Sequence, residues 1–287
     1  MNARDTRLRD LLSLAKPRIT SLVLLTAGGG MWLAPGRIAA WRGVVALAGI
    51  ALAVAAANAL NCYLERDVDA RMRRTRHRPL PAGRLSPAVA LCFGAALGAL
   101  SLPLMATGGG LLTAALGTLA LVTYVGVYTP LKRSSPKALV VGAVPGALPP
   151  LMGWTAVTGK VDVGGVALFG ILFFWQLPHF LAIALHRRDD YAAAGIQVTP
   201  VARGDAVAHR HAVLWTLALV PVTLLLQPLG VAGLGYTVVA LILGATLLAW
   251  TLAGLRPTAG LVWARGLFRF SLAYLTILFV ALGVFAR

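Results

Sequence analysis

Residues 40–62 read AWRGVVALAGIALAVAAANALNC, and residues 63–81 continue YLERDVDARMRRTRHRPLP. The first stretch is apolar throughout, with one charge, Arg42, near its start. Roughly 20 such residues span the hydrocarbon core of a bilayer as a helix. In hydrocarbon every backbone N–H must find its acceptor within its own segment, so a helix is the default. The second stretch is the opposite: Glu65, Asp67 and Asp69 followed by a run of arginines. A membrane helix thus delivers a dense group of carboxylates and guanidinium groups to one interface.

The same pattern of apolar runs fills the chain. Nine are found, at about 19–36, 40–62, 86–106, 110–129, 138–158, 163–186, 212–228, 231–254 and 267–286. None shows the ten-residue alternation of a membrane β-barrel. Of the 287 residues, 59% are hydrophobic and 12% charged, and mean hydropathy is +0.80. Soluble domains are about half apolar and about a quarter charged. These values argue against a soluble enzyme, a disordered chain or a nucleic-acid-binding domain, since too few charges remain to cover a water-facing surface. Cys62 and Cys92 have neither a disulfide-framework nor a zinc spacing and are expected to be packing residues. The expected fold is all-α: one polytopic membrane domain over 1–287, with about nine transmembrane helices bundled around a central cavity open to the cytoplasmic side.

Basic residues set the orientation. With the N-terminus inside and nine alternating spans, 22 of the 26 Lys and Arg fall on the inner side; Arg37, Arg42, Lys160 and Arg287 fall outside. That bias obeys the positive-inside rule. Eight of the nine acidic residues share the inner side, and only Asp162 lies outside. Acids contribute little to topology, so their gathering in two inner segments, 61–85 and 186–211, calls for another cause.

In the first segment Asn61, Glu65 and Asp69 stand at i, i+4 and i+8. If the helix continues past residue 62 they share a face, and Asp67 points elsewhere. Carboxylate and amide oxygens suit Mg²⁺, which typically takes one or two carboxylates and completes its shell with water and phosphate. Seven arginines between Arg66 and Arg84 accompany them, and the guanidinium fork matches phosphate oxygens. Acids for a metal and arginines for an anion suggest a metal–diphosphate site. A salt-bridged loop that only orients the chain is the alternative.

The second segment follows Trp175-Gln176-Leu177-Pro178-His179-Phe180 and reads His186-Arg187-Arg188-Asp189-Asp190-Tyr191. On a continuous helix His186 would neighbour Asp189 and Asp190, with His179 on the same face. Gln176 and His179 lie at hydrocarbon depth, where polar groups are costly and point by default to a functional interior; a hydrogen bond from His179 to a neighbouring helix is the alternative. A third inner segment, Tyr124 to Lys137, offers Lys132 and Arg133 as further cations for a phosphate, or as topology determinants alone.

Asn61–Glu65–Asp69 followed by Arg-Thr-Arg-His-Arg-Pro-Leu at 74–80 resembles the first acidic motif of the UbiA-type intramembrane prenyltransferases. Lys16-Pro17-Arg18, Asn61-Cys62-Tyr63, Pro145 to Trp154, and Trp175 to Phe180 through Asp190-Tyr191 and Gly195-Ile196 resemble the branch of that family that farnesylates haem. The resemblance runs from about 14 to about 200; beyond that only hydropathy matches. Glu65 stands where Asp is usual, Cys62 where many quinone-directed members carry Asp, and Ala138 where many carry Asn. Asp189-Asp190 are adjacent rather than spaced by three.

The resemblance implies farnesyl transfer from farnesyl diphosphate to the 2-vinyl group of haem b, with addition of water, giving haem O. Mg²⁺ would be the cofactor, held by Asn61, Glu65 and Asp69 and, for a second ion, by Asp189 and Asp190. Arg74, Arg78, Lys132 and Arg133 would hold diphosphate; His179 and His186 would meet the haem. The bacterial cytoplasmic membrane is the implied location, with haem-handling or terminal-oxidase assembly proteins as implied partners and no nucleic acid. A related enzyme with a quinone or other aromatic acceptor is the competing reading, and an ion carrier is a more distant one.

Overall fold

A computed structural model describes residues 3–286, with side chains from Arg7 onward. Arg287 and the Arg4 side chain, both counted in the charge bias, lie outside the described residues. The order is α1 (Ala3–Leu14), α2 (Pro17–Leu33), α3 (Ala40–Arg71), α4 (Pro87–Gly109), α5 (Leu111–Val122), a π-helical stretch (Thr123–Tyr128), α6 (Thr129–Leu131), α7 (Ala138–Thr158), α8 (Val163–His186), α9 (Arg188–Ala193), α10 (Thr199–Arg203), α11 (Asp205–Leu224), α12 (Leu234–Ala253) and α13 (Leu261–Val284). Among the described residues eight helical spans are long and apolar enough to cross a membrane, and a ninth follows if α1 and α2, bent by 42°, count as one. The protein is a multi-pass integral membrane protein.

Local chemistry explains the ends. Lys16 takes a left-handed conformation (φ 47°, ψ 66°) and Pro17 opens α2, because proline's missing N–H is harmless in a first turn. Ser86 Oγ accepts from the Val89 N–H ahead of Pro87, and Asp162 Oδ1 accepts from the Gly165 N–H at the start of α8; both are N-caps. Helices and apolar runs differ at the polar ends. α11 begins at Asp205 and α13 at Leu261, about two turns before the apolar runs 212–228 and 267–286. Backbone hydrogen bonding carries a helix past the hydrocarbon edge, which hydropathy does not register.

Successive helices pack on one another, α2 folds back onto α7 and α13 onto α8, and α13 only touches α2, so that α7 and α8 are the most enclosed. Small residues allow the close contacts, as expected where lipid tails compete equally for apolar surface. Between α2 and α7 the approach is backbone to backbone: a Cβ on Gly153 would run into the Ala27 carbonyl, and one on Gly30 into the Pro150 carbonyl. Gly153→Val is therefore expected to lower the unfolding temperature in detergent, at a cost above the ~1–3 kcal/mol of ordinary overpacking. Gly28→Val, on the same α2 but facing open space, serves as the control. Equal melting of the two variants would contradict this close approach.

Candidate active site

α3 does continue beyond the apolar run, to Arg71. Asn61, Glu65 and Asp69 are accordingly on one face and buried, with 3%, 4% and 1% exposure. Asp67 points away and its side chain is 72% exposed. Glu65 Oε1 accepts from Lys132 Nζ at 2.9 Å, and Asp69 Oδ2 accepts from Arg78 Nη1 at 2.6 Å. Thr75 Oγ1 donates to the Asp69 carbonyl at 2.8 Å, turning the arginine-rich loop back over the helix end. Burial pulls the Lys132 ammonium down, but the Tyr128 oxygen and Glu65 outweigh it, so its pKa is raised. Lys16, just before α2, is lowered by burial, partly offset by Cys62 and reinforced by Arg78.

The orientation of Asn61 follows from counting protons. Thr129 Oγ1 donates its single proton to the Tyr124 carbonyl at 2.8 Å, so it can only accept from Asn61. Asn61 Nδ2 donates to it at 3.1 Å, and the carboxamide oxygen has no partner among the described residues. Asp69 Oδ1 is likewise buried without a partner. The π-helical stretch supplies Tyr124 and Tyr128 to the same wall; such bulges are frequent at functional sites.

The second acidic segment does not form one helix with α8. Arg187 (φ −116°, ψ 16°) leaves helical geometry between His186 and Arg188, so His186 and the two aspartates lie on separate elements. Asp189 is exposed; Asp190 is partly buried, 3.9 Å from Arg187. Among the described residues no three His, Cys, Asp or Glu side chains form a metal-binding group. The two segments nevertheless meet. Arg74 Nη2 donates to the Tyr191 hydroxyl at 3.1 Å, and its guanidinium carbon lies 5.2 Å from the ring centroid. Val68 and Met72 pack with Tyr191, Ala194 and Ile196, and the Gln197 N–H donates to the Lys132 carbonyl at 3.2 Å.

Below this junction lies a cavity of about 590 Å³. Arg74, Lys132, Tyr191, Gln197 and Thr199 give it a polar end, and Ile50, Ala53, Leu121 and Met152 an apolar interior. Trp175, Gln176 and His179 line it too, with His179 about 10 Å along α8 from His186 at 1.5 Å per residue. His186 is not among the lining residues, and its Nδ1 pairs with the Ala182 carbonyl at 2.8 Å. Arg133 Nη2 donates to the Leu64 carbonyl at 2.6 Å and also lies off the cavity wall. Sequence reasoning passed over Asn58 and Ser271. Asn58, one turn before Asn61 and in contact with the cavity, had a signal as an amide inside an apolar run; a serine in such a run has none.

These groups fit a divalent cation in donor chemistry: hard oxygens only, two carboxylates and an amide on one face, with two oxygens lacking partners. They also fit a phosphate anion beside it, through Arg74, Arg78 and Lys132.

The family model described as the UbiA prenyltransferase family matches residues 22–273. A protoheme IX farnesyltransferase from Anaeromyxobacter dehalogenans is 54% identical over 275 residues, covering 96% of this chain and 93% of that protein. Among solved structures, a digeranylgeranylglyceryl phosphate synthase superposes with a TM-score of 0.82 at 17% identity, covering 97% of this chain and 98% of that one. A UbiA homologue from Archaeoglobus fulgidus bound to GPP and Mg²⁺ superposes with a TM-score of 0.64 at 19% identity, covering 96% and 99%. The family match reaches through α11 and α12 into α13, well past the residues whose motifs carried the resemblance. This chain, with its buried acids beneath a clasp of arginine and tyrosine, belongs to the UbiA prenyltransferase family.

Proposed function

We propose that this enzyme transfers the farnesyl group of farnesyl diphosphate to the 2-vinyl group of haem b, with addition of water, to give haem O. The observation that carries the reading is one cavity with a cationic end, Arg74 and Lys132, and an apolar interior with His179 on its wall; the α3 acids do not line it but adjoin its end, where Lys132 pairs with buried Glu65. The protoheme IX farnesyltransferase name of a 54% identical relative supports the choice of acceptor.

Asn61, Glu65 and Asp69 would hold Mg²⁺, with Asp189 and Asp190 available for a second ion. Bound there, Mg²⁺ supplies Lewis-acid stabilisation of the departing diphosphate. Arg74, Arg78 and Lys132 would meet the diphosphate oxygens as negative charge develops on them, an electrostatic contribution that grows towards the transition state; Arg133, held by the Leu64 carbonyl, would not. The farnesyl C–O bond breaks and its electron pair leaves with diphosphate. The vinyl π pair then forms the new C–C bond. Water adds to the resulting porphyrin-stabilised cation and loses a proton. The apolar walls keep water from the allylic cation before the vinyl carbon reaches it, and burial of the tail contributes about 0.8 kcal/mol per methylene. His179 is assigned to the haem; His186, off the cavity wall with its Nδ1 on the Ala182 carbonyl, is not. The charge bias supports an N-terminus on the cytoplasmic side of a bacterial inner membrane, with haem-handling or oxidase-assembly proteins as the source and recipient of the pigment.

Purified enzyme incubated with Mg²⁺, farnesyl diphosphate and either haem b or 4-hydroxybenzoate tests the acceptor. Mass analysis is expected to find the hydroxyethylfarnesyl pigment from haem; product from the benzoate alone would establish the quinone-type reading instead. Asp190→Asn is expected to abolish turnover while leaving membrane insertion intact. Wild-type rates at saturating Mg²⁺ would remove Asp190 from the metal site.

A further inference from the structure

His179 is fixed in its pocket on several sides. Trp175, one turn earlier on α8, stacks on it with centroids 4.8 Å apart at 21°. Phe268 of α13 lies 5.0 Å away, tilted by 31°. The imidazole Nδ1 is 2.8 Å from Ser271 Oγ. Ser271 is fully buried, and its hydroxyl donates to the Phe268 carbonyl at 2.8 Å. A hydroxyl has one proton to give. With that proton on the Phe268 carbonyl, Ser271 Oγ accepts from His179, an arrangement that puts the imidazole proton on Nδ1. In a neutral ring Nε2 is then the nitrogen with the free lone pair. It has no hydrogen-bond partner among the described residues, and the residue lines the cavity.

We propose that Ser271 is a positioning residue that locks His179 in the Nδ1–H tautomer, so that Nε2 ligates the iron of the haem acceptor instead of donating a hydrogen bond to a propionate. This rests on the reading of haem as acceptor. A lone-pair nitrogen can bind iron but has nothing to donate to a carboxylate. Haem-ligating histidines also need their far nitrogen hydrogen-bonded, because that bond sets ring orientation and ligand basicity. Here the far nitrogen is served by a hydroxyl that is itself held by α13. The same serine accepts the Trp175 Nε1–H on its backbone carbonyl at 2.7 Å. Ser271→Ala therefore removes the imidazole acceptor while leaving the group that anchors the stacked indole.

The test is titration of the purified full-length protein with ferric haem b, read by electronic absorption and electron paramagnetic resonance, followed by resonance Raman of the reduced complex. The wild type is expected to show one haem with an axial nitrogen ligand, and His179→Ala to lose that signature. Ser271→Ala is expected to shift the iron–histidine stretch and weaken haem binding by about 10- to 100-fold, the usual cost of losing an outer-shell partner. Its affinity for farnesyl diphosphate should hold, and Ser271→Thr should restore the wild-type spectrum. Identical spectra for wild type and His179→Ala overturn the ligand assignment. Identical spectra and haem affinity for wild type and Ser271→Ala overturn the positioning role. Either result leaves the acceptor intact if the pigment still forms, whereas failure of the wild type to farnesylate haem defeats the acceptor reading itself.

Discussion

Asp69→Asn is expected to bring turnover below detection, a loss on the order of 100- to 1000-fold or more, the scale seen when one preorganised electrostatic contact is removed. The substitution changes almost no volume, so its effect is that of charge. Asp69 is 1% exposed; one oxygen holds Arg78 at 2.6 Å, and the other is buried with no partner. A buried carboxylate oxygen without a donor is costly, and a bound cation would satisfy it. An amide cannot supply the charge, and its NH2 group would oppose Arg78 or the cation. Parallel binding of haem by the variant shows that the cavity still forms. Wild-type turnover at saturating Mg²⁺ would take Asp69 out of the metal site.

Lys132→Met is expected to act on stability and turnover together. The Lys132–Glu65 pair is largely buried, its side chains 16% and 5% exposed. Removing one partner of such a pair costs about 3–5 kcal/mol, because the other charge is left uncompensated. The second variant, Lys132→Met with Glu65→Gln, separates the two effects. It removes the stranded charge and should recover most of the melting temperature. It should not recover turnover if, as proposed, Lys132 holds the diphosphate and Glu65 the metal. Recovery of both would mean that the pair serves folding alone.

The contrast between what is readable in the chain and what is not follows range along it. Span positions and the shared face of Asn61, Glu65 and Asp69 depend on local periodicity, and α3 extends as that spacing predicts. The outward turn of Asp67 follows from the same geometry. Partners from distant helices leave no local trace: Thr129 for Asn61, Lys132 for Glu65, Tyr191 for Arg74 and Ser271 for His179. His179 shows the difference within one residue. Its depth in the membrane suggests either a functional ring or a hydrogen bond to a neighbouring helix; Nδ1 makes that hydrogen bond, and Nε2 remains free beside the cavity. The break at Arg187 is also hidden, since nothing in Leu185-His186-Arg187-Arg188 breaks a helix by composition. The arginine-rich loop after α3 is a series of turns whose fold depends on contacts such as Arg84 with Asp10, far apart in sequence.

The most direct test is an experimental structure with Mg²⁺, haem b and a non-hydrolysable farnesyl thiodiphosphate bound together. The account predicts the diphosphate between the α3 acids and the segment that begins at Asp190, with the farnesyl chain running into the cavity and the porphyrin against His179. Diphosphate bound elsewhere, or Asp69 and Asp190 opening onto separate compartments, would contradict it.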